Sequence, residues 1–329
     1  MRYRTIPQTD ISVSEVGFGV WTLATGWWGE KDDSESIRLL HAALDRGITL
    51  FDTADSYGSG RGETLLADAF ADRRERVVYA TKVGYDWYNH ERPRGQRELP
   101  QDWSPEFVRM SCEKSLERLG TDYIDVYQLH NPKMDAIVDD ALFATLEDLQ
   151  SEGRIRSWGV ALGPAIGWRA EGVRAIERHR PTSMQIIHNL LEQDPGNDFI
   201  AAARKHDCGL WARVPHSSGM LEGKYTIETT FPKNDHRSHR PRSWLIEGLQ
   251  KISQLDFLTE GREQTLGQAA LKWLLAEPCM TTTLPNIYGE EQLDEFAVAP
   301  DLPDLTDDDL EKIAALYAEN FGVEAVAAP

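Results

Sequence analysis

Eight short apolar runs recur along the chain, at 15–19, 48–51, 77–82, 123–130, 155–161, 184–187, 209–214 and 279–284, and helix-like segments lie between them. A short apolar, β-branched run bounded by turn residues reads as a buried strand. The segments between carry helix signals. "DDSESIRLLHAALDRG" opens on acidic residues, spaces Ile37, Leu40 and Leu44 at helical intervals and closes on Gly47. "SPEFVRMSCEKSLERLG" offers Ser104 as N-cap and Pro105 at the first helical position, and ends at Gly120. "DALFATLEDLQSEG" and "TLGQAALKWLLAEP" follow the same logic. Strands alternating with helices call for a parallel sheet, and eight such units define a (β/α)8 TIM barrel.

A barrel of this kind takes about 250 residues. The excess in this 329-residue chain falls at 2–13, in loops at 84–103 and 222–243, and after 300. No Pro/Gly/Ser-rich linker divides the sequence, so residues 1–329 are expected to form one α/β domain with extended loops at the C-terminal face. The competing doubly wound sheet wants G-x-G-x-x-G after its first strand. "GFGVWT" has two of those glycines and Thr22 in place of the third.

In a barrel, the chemistry sits at the C-terminal ends of the strands. The second run ends in Asp52, with Tyr57 on the loop "TADSYGSG"; the third ends in Lys82, the fourth in His130, and the sixth carries Gln185. Alone, each has a simpler reading: an Asx turn with a packed tyrosine, a rim lysine, a rim histidine. Together they make a proton donor. An ammonium beside a phenol stabilises the charge left when the proton departs, and a carboxylate holds that ammonium in place. A histidine can hydrogen-bond a substrate oxygen. A glycosidase would need two carboxylates flanking a sugar, and among strand ends only Asp52 qualifies. No His/Asp/Glu set has metal-ligand spacing, so no metal is expected.

The net charge of −19 argues against nucleic acid and anionic membranes as partners. No apolar run approaches a membrane span. Cys112, Cys208 and Cys279 fit neither a disulfide framework nor a zinc site, as expected of a cytoplasmic protein. Homo-oligomer formation is left open.

The ordered set "GFGVW" (17–21), "FDTADSYGSGRGE" (51–63), "ATK" (80–82), "SLERLGTDYIDVYQLHNP" (115–132), "GRIRSWGV" (153–160) and "GMLEGKY" (219–225) resembles the aldo-keto reductases over nearly the whole chain. The resemblance implies a (β/α)8 barrel that reduces aldehydes and ketones with NADPH or NADH. It assigns the catalytic tetrad to Asp52, Tyr57, Lys82 and His130; a small-molecule carbonyl substrate is expected against Tyr57 and His130, with Trp21 after the first strand and Trp87 of the 85–103 loop as pocket walls. It places the cofactor against Gly19, Val20, Trp21, Asp52, Gln185, Arg213, Pro215, Pro285, Asn286 and Gln292.

The cofactor half departs from the family pattern. Ala161 and Leu162 stand where Ser-Asn commonly grips the nicotinamide, leaving Gln185 as the expected amide partner. Arg213 stands where a tyrosine often stacks on the nicotinamide ring. A guanidinium can stack there, but is repelled by the oxidised ring, which implies easier release of NAD(P)⁺. Tyr288, Gly289, Glu290 and Glu291 replace the usual 2′-phosphate contacts and suit ribose hydroxyls, which favours NADH. Against this, "PKNDHRSHRPR" (232–242) sets Lys233, Arg237, Arg240 and Arg242 against Asp235 alone. That cluster reads as a solvated loop or as an anion site. The 85–103 loop, with Trp87, Tyr88, Arg92, Arg94 and Arg97, reads as substrate-binding or as oligomer packing. The altered grip also keeps open a cofactor-sensing, partner-binding barrel with little turnover.

Overall fold

The computed structural model describes residues 1–91, 98–163, 168–233 and 235–324. Arg92, Arg94 and Arg97 lie outside them. An antiparallel hairpin, β1 (Tyr3–Thr5) and β2 (Ser12–Ser14), precedes eight parallel strands: β3 (Phe18–Gly19), β4 (Leu50–Asp52), β5 (Val78–Val83), β6 (Ile124–His130), β7 (Ile155–Ala161), β8 (Ser183–Ile187), β9 (Gly209–Arg213) and β10 (Met280–Leu284). Neighbours in sequence are neighbours in the sheet. The ring closes where the Thr283 amide donates to the Glu15 carbonyl at 2.9 Å and the Gly17 amide to the Thr283 carbonyl at 2.8 Å. All eight expected runs became these strands.

The helices form where the capping chemistry calls for them. Asp32 caps Asp33–Asp45 through the Glu35 amide, and Ser104 caps Pro105–Leu119, which stops at Gly120 in the left-handed region. Thr265 and Gln268 close a capping box on Leu266–Leu275. These helices lay their apolar stripes against the outside of the sheet, where Phe51, Tyr79, Tyr127, Trp158 and Met184 join the main core.

Side chains alternate across a strand, so every second residue enters the barrel. A separate interior cluster gathers Leu50, Val78, Ala80, Val126, Trp211 and Leu284. Ile6, Ile11 and Val13 of the hairpin segment close it from below. The segment 2–13 is therefore a plug on the barrel floor. Following the same inward faces upward changes their chemistry: Leu50 gives way to Asp52, Ala80 to Lys82, Val126 to Gln128 and His130, and Trp211 to Arg213. The strands are apolar where the barrel is plugged and polar at its mouth.

Candidate active site

Parallel register brings the polar strand ends side by side. Asp52 pairs with Ala80, Lys82 with Gln128, His130 with Ala161, Ala161 with Gln185 and Ile187 with Arg213. At the centre lies the Asp52 carboxylate, buried and surrounded by donors. Lys82 Nζ donates to Oδ2 at 2.6 Å; Gln128 Nε2 and Gln185 Nε2 donate to Oδ1 at 3.0 and 2.5 Å. Lys82 also donates to the Thr53 carbonyl at 2.6 Å. The lysine side chain is 1% exposed. A charge that deep persists only where it is paired and its remaining donors are occupied.

Tyr57 reaches the same place from the loop after β4. The turn that carries it is tight: Gly58 has φ +59°, and a Cβ there would sit 2.4 Å from the Ala24 carbonyl oxygen. Glycine alone fits this approach. The turn brings the Tyr57 ring to 4.9 Å from Lys82 Nζ, measured at the ring centroid. His130 meets that ring edge-on, with centroids 5.7 Å apart. The four residues expected to form the tetrad are therefore assembled at one mouth.

They open onto a cavity of about 580 Å³. Its walls include Gly19, Trp21, Asp52, Tyr57, His130, Gln185, Arg213, Pro285 and Asn286 from the sequence-based set. Five other expected residues do not line it, Lys82 among them, sealed beneath the mouth. Val20 is buried and donates its amide to the Asp52 carbonyl at 2.8 Å. Pro215 is buried behind Val214, which takes its place in the wall, and Gln292 is buried on the helix Glu290–Ala297. Trp87 lines a second cavity of about 300 Å³, with Ser56, Ser59 and Tyr88. It is held there by Arg118, whose guanidinium lies 5.3 Å from its ring and also bonds Glu63 and the Tyr88 hydroxyl. Beneath this loop Asp55 is fully buried, and burial, reinforced by the Glu63 charge, pushes its carboxyl well above the usual carboxylate range.

Arg213 has a role that the sequence did not suggest. Its Nη2 donates to the carbonyls of Leu162 and Gly163, both at 2.6 Å. Leu162, one of the two apolar residues where the family pattern has Ser-Asn, thus lends its backbone to the arginine, with Gly163 beside it. Burial lowers the guanidinium from its usual range, while Tyr57 and Asp52 act the other way. Of the basic loop, Arg240 reaches the cavity wall, beside His239. Arg237 is held by Asp235 and by the Tyr225 hydroxyl, and lies 4.4 Å from the Trp28 ring. Arg242 donates to the Thr229 carbonyl. Glu291 accepts from Lys224 at 2.7 Å, and Tyr288 stacks on Trp28 with centroids 5.2 Å apart.

Sequence reasoning missed Gln128, Thr22, Glu192 and Ser218. Gln128 had a signal, because it lies two residues before His130 and so shares its inward face. Thr22 binds the Ile287 carbonyl at 2.6 Å and ties the first strand's turn to the last strand's loop. That contact spans the whole chain and leaves no local trace.

A barrel with a buried Asp–Lys pair, a tyrosine over the lysine and a histidine beside it defines a reductase-type acid–base site. The aldo/keto reductase family model matches residues 15–318, and the chain belongs to that family. It is 31% identical over 285 residues to the aldo-keto reductase YhdN of Bacillus subtilis, covering 84% of this chain and 82% of that protein. It is 29% identical to the NADH-specific methylglyoxal reductase of Escherichia coli, over 88% of this chain and 91% of that one. Among solved structures, the glycerol dehydrogenase AKR11B4 of Gluconobacter oxydans superposes with a TM-score of 0.84 at 28% identity, covering 99% of this chain and 98% of that one. The chain is an oxidoreductase of the nicotinamide-dependent class. No helix among the described residues is long and apolar enough to cross a membrane.

Proposed function

We propose that this chain reduces a small, polar aldehyde or ketone to the alcohol, with Tyr57 as proton donor. One observation carries the reading: Lys82 Nζ bonds Asp52 at 2.6 Å and stands 4.9 Å from the Tyr57 ring centroid, at the mouth shared with His130. The cavity fits a reduced dinucleotide. Gln185 is buried at its tetrad end, and the His239 ring and the Arg240 guanidinium lie in its wall, suited to phosphate. Gly19, Trp21, Gln185, Arg213, Pro285 and Asn286 are the residues proposed to hold it. When bound, the nicotinamide supplies the hydride that the carbonyl carbon accepts.

The chain supplies the rest. His130 donates a hydrogen bond that orients the carbonyl oxygen. Tyr57 passes its proton to that oxygen as negative charge grows there. The phenolate left behind faces the Lys82 ammonium, which Asp52 keeps charged and fixed. The glutamine donors on Asp52 stop its carboxylate from turning away from the lysine.

NADH is proposed as the preferred cofactor. Lys224 is committed to Glu291, and Arg237 to Asp235, so neither is poised for a 2′-phosphate. The NADH-specific methylglyoxal reductase and the glycerol dehydrogenase among the relatives support a short, oxygen-rich substrate, such as a hydroxy- or oxo-aldehyde.

The test is a panel of short carbonyl compounds, followed by absorbance loss with NADH and with NADPH. Turnover that disappears in Tyr57→Phe supports the proposal. Tight binding of reduced dinucleotide without turnover on any carbonyl would favour the partner-binding barrel instead.

A further inference from the structure

The loop after β5 holds more chain than a barrel connection needs, and part of it is spent on His130. Tyr85 and Gln101 pair across an antiparallel bridge. The Asp86 amide donates to the Pro100 carbonyl at 2.8 Å, and the Asp102 amide to the Gly84 carbonyl at 2.9 Å. The chain therefore leaves at Tyr85 and returns beside it at Gln101.

From this pair both side chains reach the end of β6. Gln101 Nε2 donates to the carbonyls of His130 and Asn131, at 2.9 and 3.0 Å. Asn131 Nδ2 donates to the Tyr85 hydroxyl at 2.7 Å. The Tyr85 ring meets the His130 imidazole edge-on, with centroids 4.9 Å apart. Tyr57 meets the same imidazole at 5.7 Å, so the ring stands between two phenols. Asn131 takes φ +56°, a conformation that asparagine adopts more readily than most residues and that local bonds must hold. Tyr85 and Asn131 are 8% and 6% exposed.

His130 is the last residue of its strand, and the ladder beside it ends with the Asn131 amide donating to the Ala161 carbonyl at 2.8 Å. A hydrogen bond to a reacting oxygen tolerates only a few tenths of an ångström of error. We propose that Tyr85 and Gln101 are positioning residues that clamp the backbone and ring of His130 for carbonyl orientation. The proposal rests on the reading of Tyr57 and His130 given above. Burial also pushes the Tyr85 phenol above its usual range, so it serves as a neutral partner and not as a second acid.

Two arms test it. In the first, Tyr85→Phe keeps the ring and loses the bond to Asn131, and Tyr85→Ala loses both. With the best substrate of the panel, kcat is expected to fall several-fold in Tyr85→Phe and about 10²-fold in Tyr85→Ala. The KM for the dinucleotide should stay within about twofold, since neither change touches the cofactor wall. Arg109→Ala, on the exposed side of the helix that follows the loop, where it meets Asp148 and Glu152, should leave kcat unchanged. Equal losses in Arg109→Ala and Tyr85→Phe, or a loss confined to dinucleotide KM, would overturn the proposal.

The second arm needs no turnover. His130 ring resonances, assigned by their disappearance in His130→Gln, should shift in Tyr85→Ala as the Tyr85 ring current is lost. They should hold their position in Tyr85→Phe. An unmoved signal in a folded Tyr85→Ala overturns the clamp. If that variant does not fold, the kcat of Tyr85→Phe or, without turnover, broadening of the His130 signal in Gln101→Ala decides. A wild-type protein that reduces nothing on the panel breaks the acid–base reading alone, and the resonances then judge the clamp separately.

Discussion

The two ends of the barrel each bury an aspartate, and each end treats it differently. Asp125 enters β6 near the floor and meets two guanidinium groups, Arg74 and Arg156, both at 2.7 Å, with the Tyr79 amide at 2.9 Å. Asp52 leaves β4 at the mouth and meets one ammonium and two neutral amides. The side chains of both aspartates are nearly inaccessible, at 1% and 7%. The partners set them apart. The arginines of Asp125 are partly open to water and spend their other donors on structure, Arg74 on the Val77 and Tyr123 carbonyls and Arg156 on Asp10. Lys82 is sealed in and aims its remaining field at Tyr57. A planar guanidinium fork satisfies a carboxylate, whereas a compact ammonium leaves charge to act on a third group. The floor uses its aspartate to hold strands together, and the mouth uses its aspartate to hold a charge beside a phenol.

Breaking the mouth should cost chemistry, and breaking the floor should cost stability. Tyr57→Phe removes the proposed proton donor and nothing that the fold rests on. Its turnover is expected to fall by about 10²–10⁴, the usual worth of a positioned acid, with an unchanged denaturation midpoint. Asp125→Ala takes the carboxylate from Arg74 and leaves Arg156 with the exposed Asp10. Losing one partner of a buried pair costs about 3–5 kcal/mol, and the partial exposure of Arg156 puts this case near the lower figure. Urea unfolding should show that loss while kcat at low denaturant stays at the wild-type value. A turnover defect in Asp125→Ala as large as that of Tyr57→Phe would erase the distinction.

The same contrast explains what could be read from the sequence. The barrel strands were visible because each is an apolar run cut off by turn residues. The tetrad was visible because a charged residue at the end of such a run has no reason to be there for packing. The hairpin plug was not read as structure, since Ile6, Ile11 and Val13 are too sparse to set a period. Gln128 was overlooked because a neutral amide inside a strand looks tolerated, although the period of two from His130 places it inside the barrel. The carbonyl anchors of Arg213 and of Gln101 were beyond reach. A contact with a backbone oxygen leaves no mark on the identity of the residue that supplies it. Trp87 went to the neighbouring cavity because Arg118, far along the chain, fixes its ring.

Glu222 sharpens the comparison through pH. It lies in the short helical turn Met220–Glu222, and burial raises its carboxyl to about 7, Lys224 acting the other way. A carboxyl raised in the folded state binds more protons than its unfolded counterpart. Between about pH 4.5 and 7 it therefore removes stability as pH rises, and the full penalty stands above that window. From the size of the shift the penalty is at most about 3 kcal/mol. His216 and His188, lowered to about 4 by burial, run the opposite way, losing stability as pH falls from about 6.5 toward 4. The measurement is thus a difference between wild type and Glu222→Gln. The variant should gain stability relative to wild type as pH climbs through the window, and a constant difference across pH would remove the effect.

Arg240 carries the smallest expected effect and divides the mouth itself. It is exposed, lies in the cavity wall, makes a long contact, 3.4 Å, to the Ser218 hydroxyl and lies 5.3 Å from the Trp244 ring. A solvent-facing cation gives an anionic ligand about 0.5–1 kcal/mol, and salt screens it. Arg240→Ala should therefore weaken binding of reduced dinucleotide only about two- to fivefold. Fluorescence titration at low and high salt is the readout, and the salt dependence should flatten in the variant. Which dinucleotide suffers decides what Arg240 touches. An equal loss for NADH and NADPH assigns it to the pyrophosphate that both share, consistent with the NADH preference proposed above. A loss confined to NADPH assigns it to the 2′-phosphate, and the basic loop then supplies what the acidic residues after β10 lack. In either case kcat with saturating cofactor should hold, because the charge proposed to act on Tyr57 is that of Lys82, sealed beneath the tyrosine and out of reach of salt.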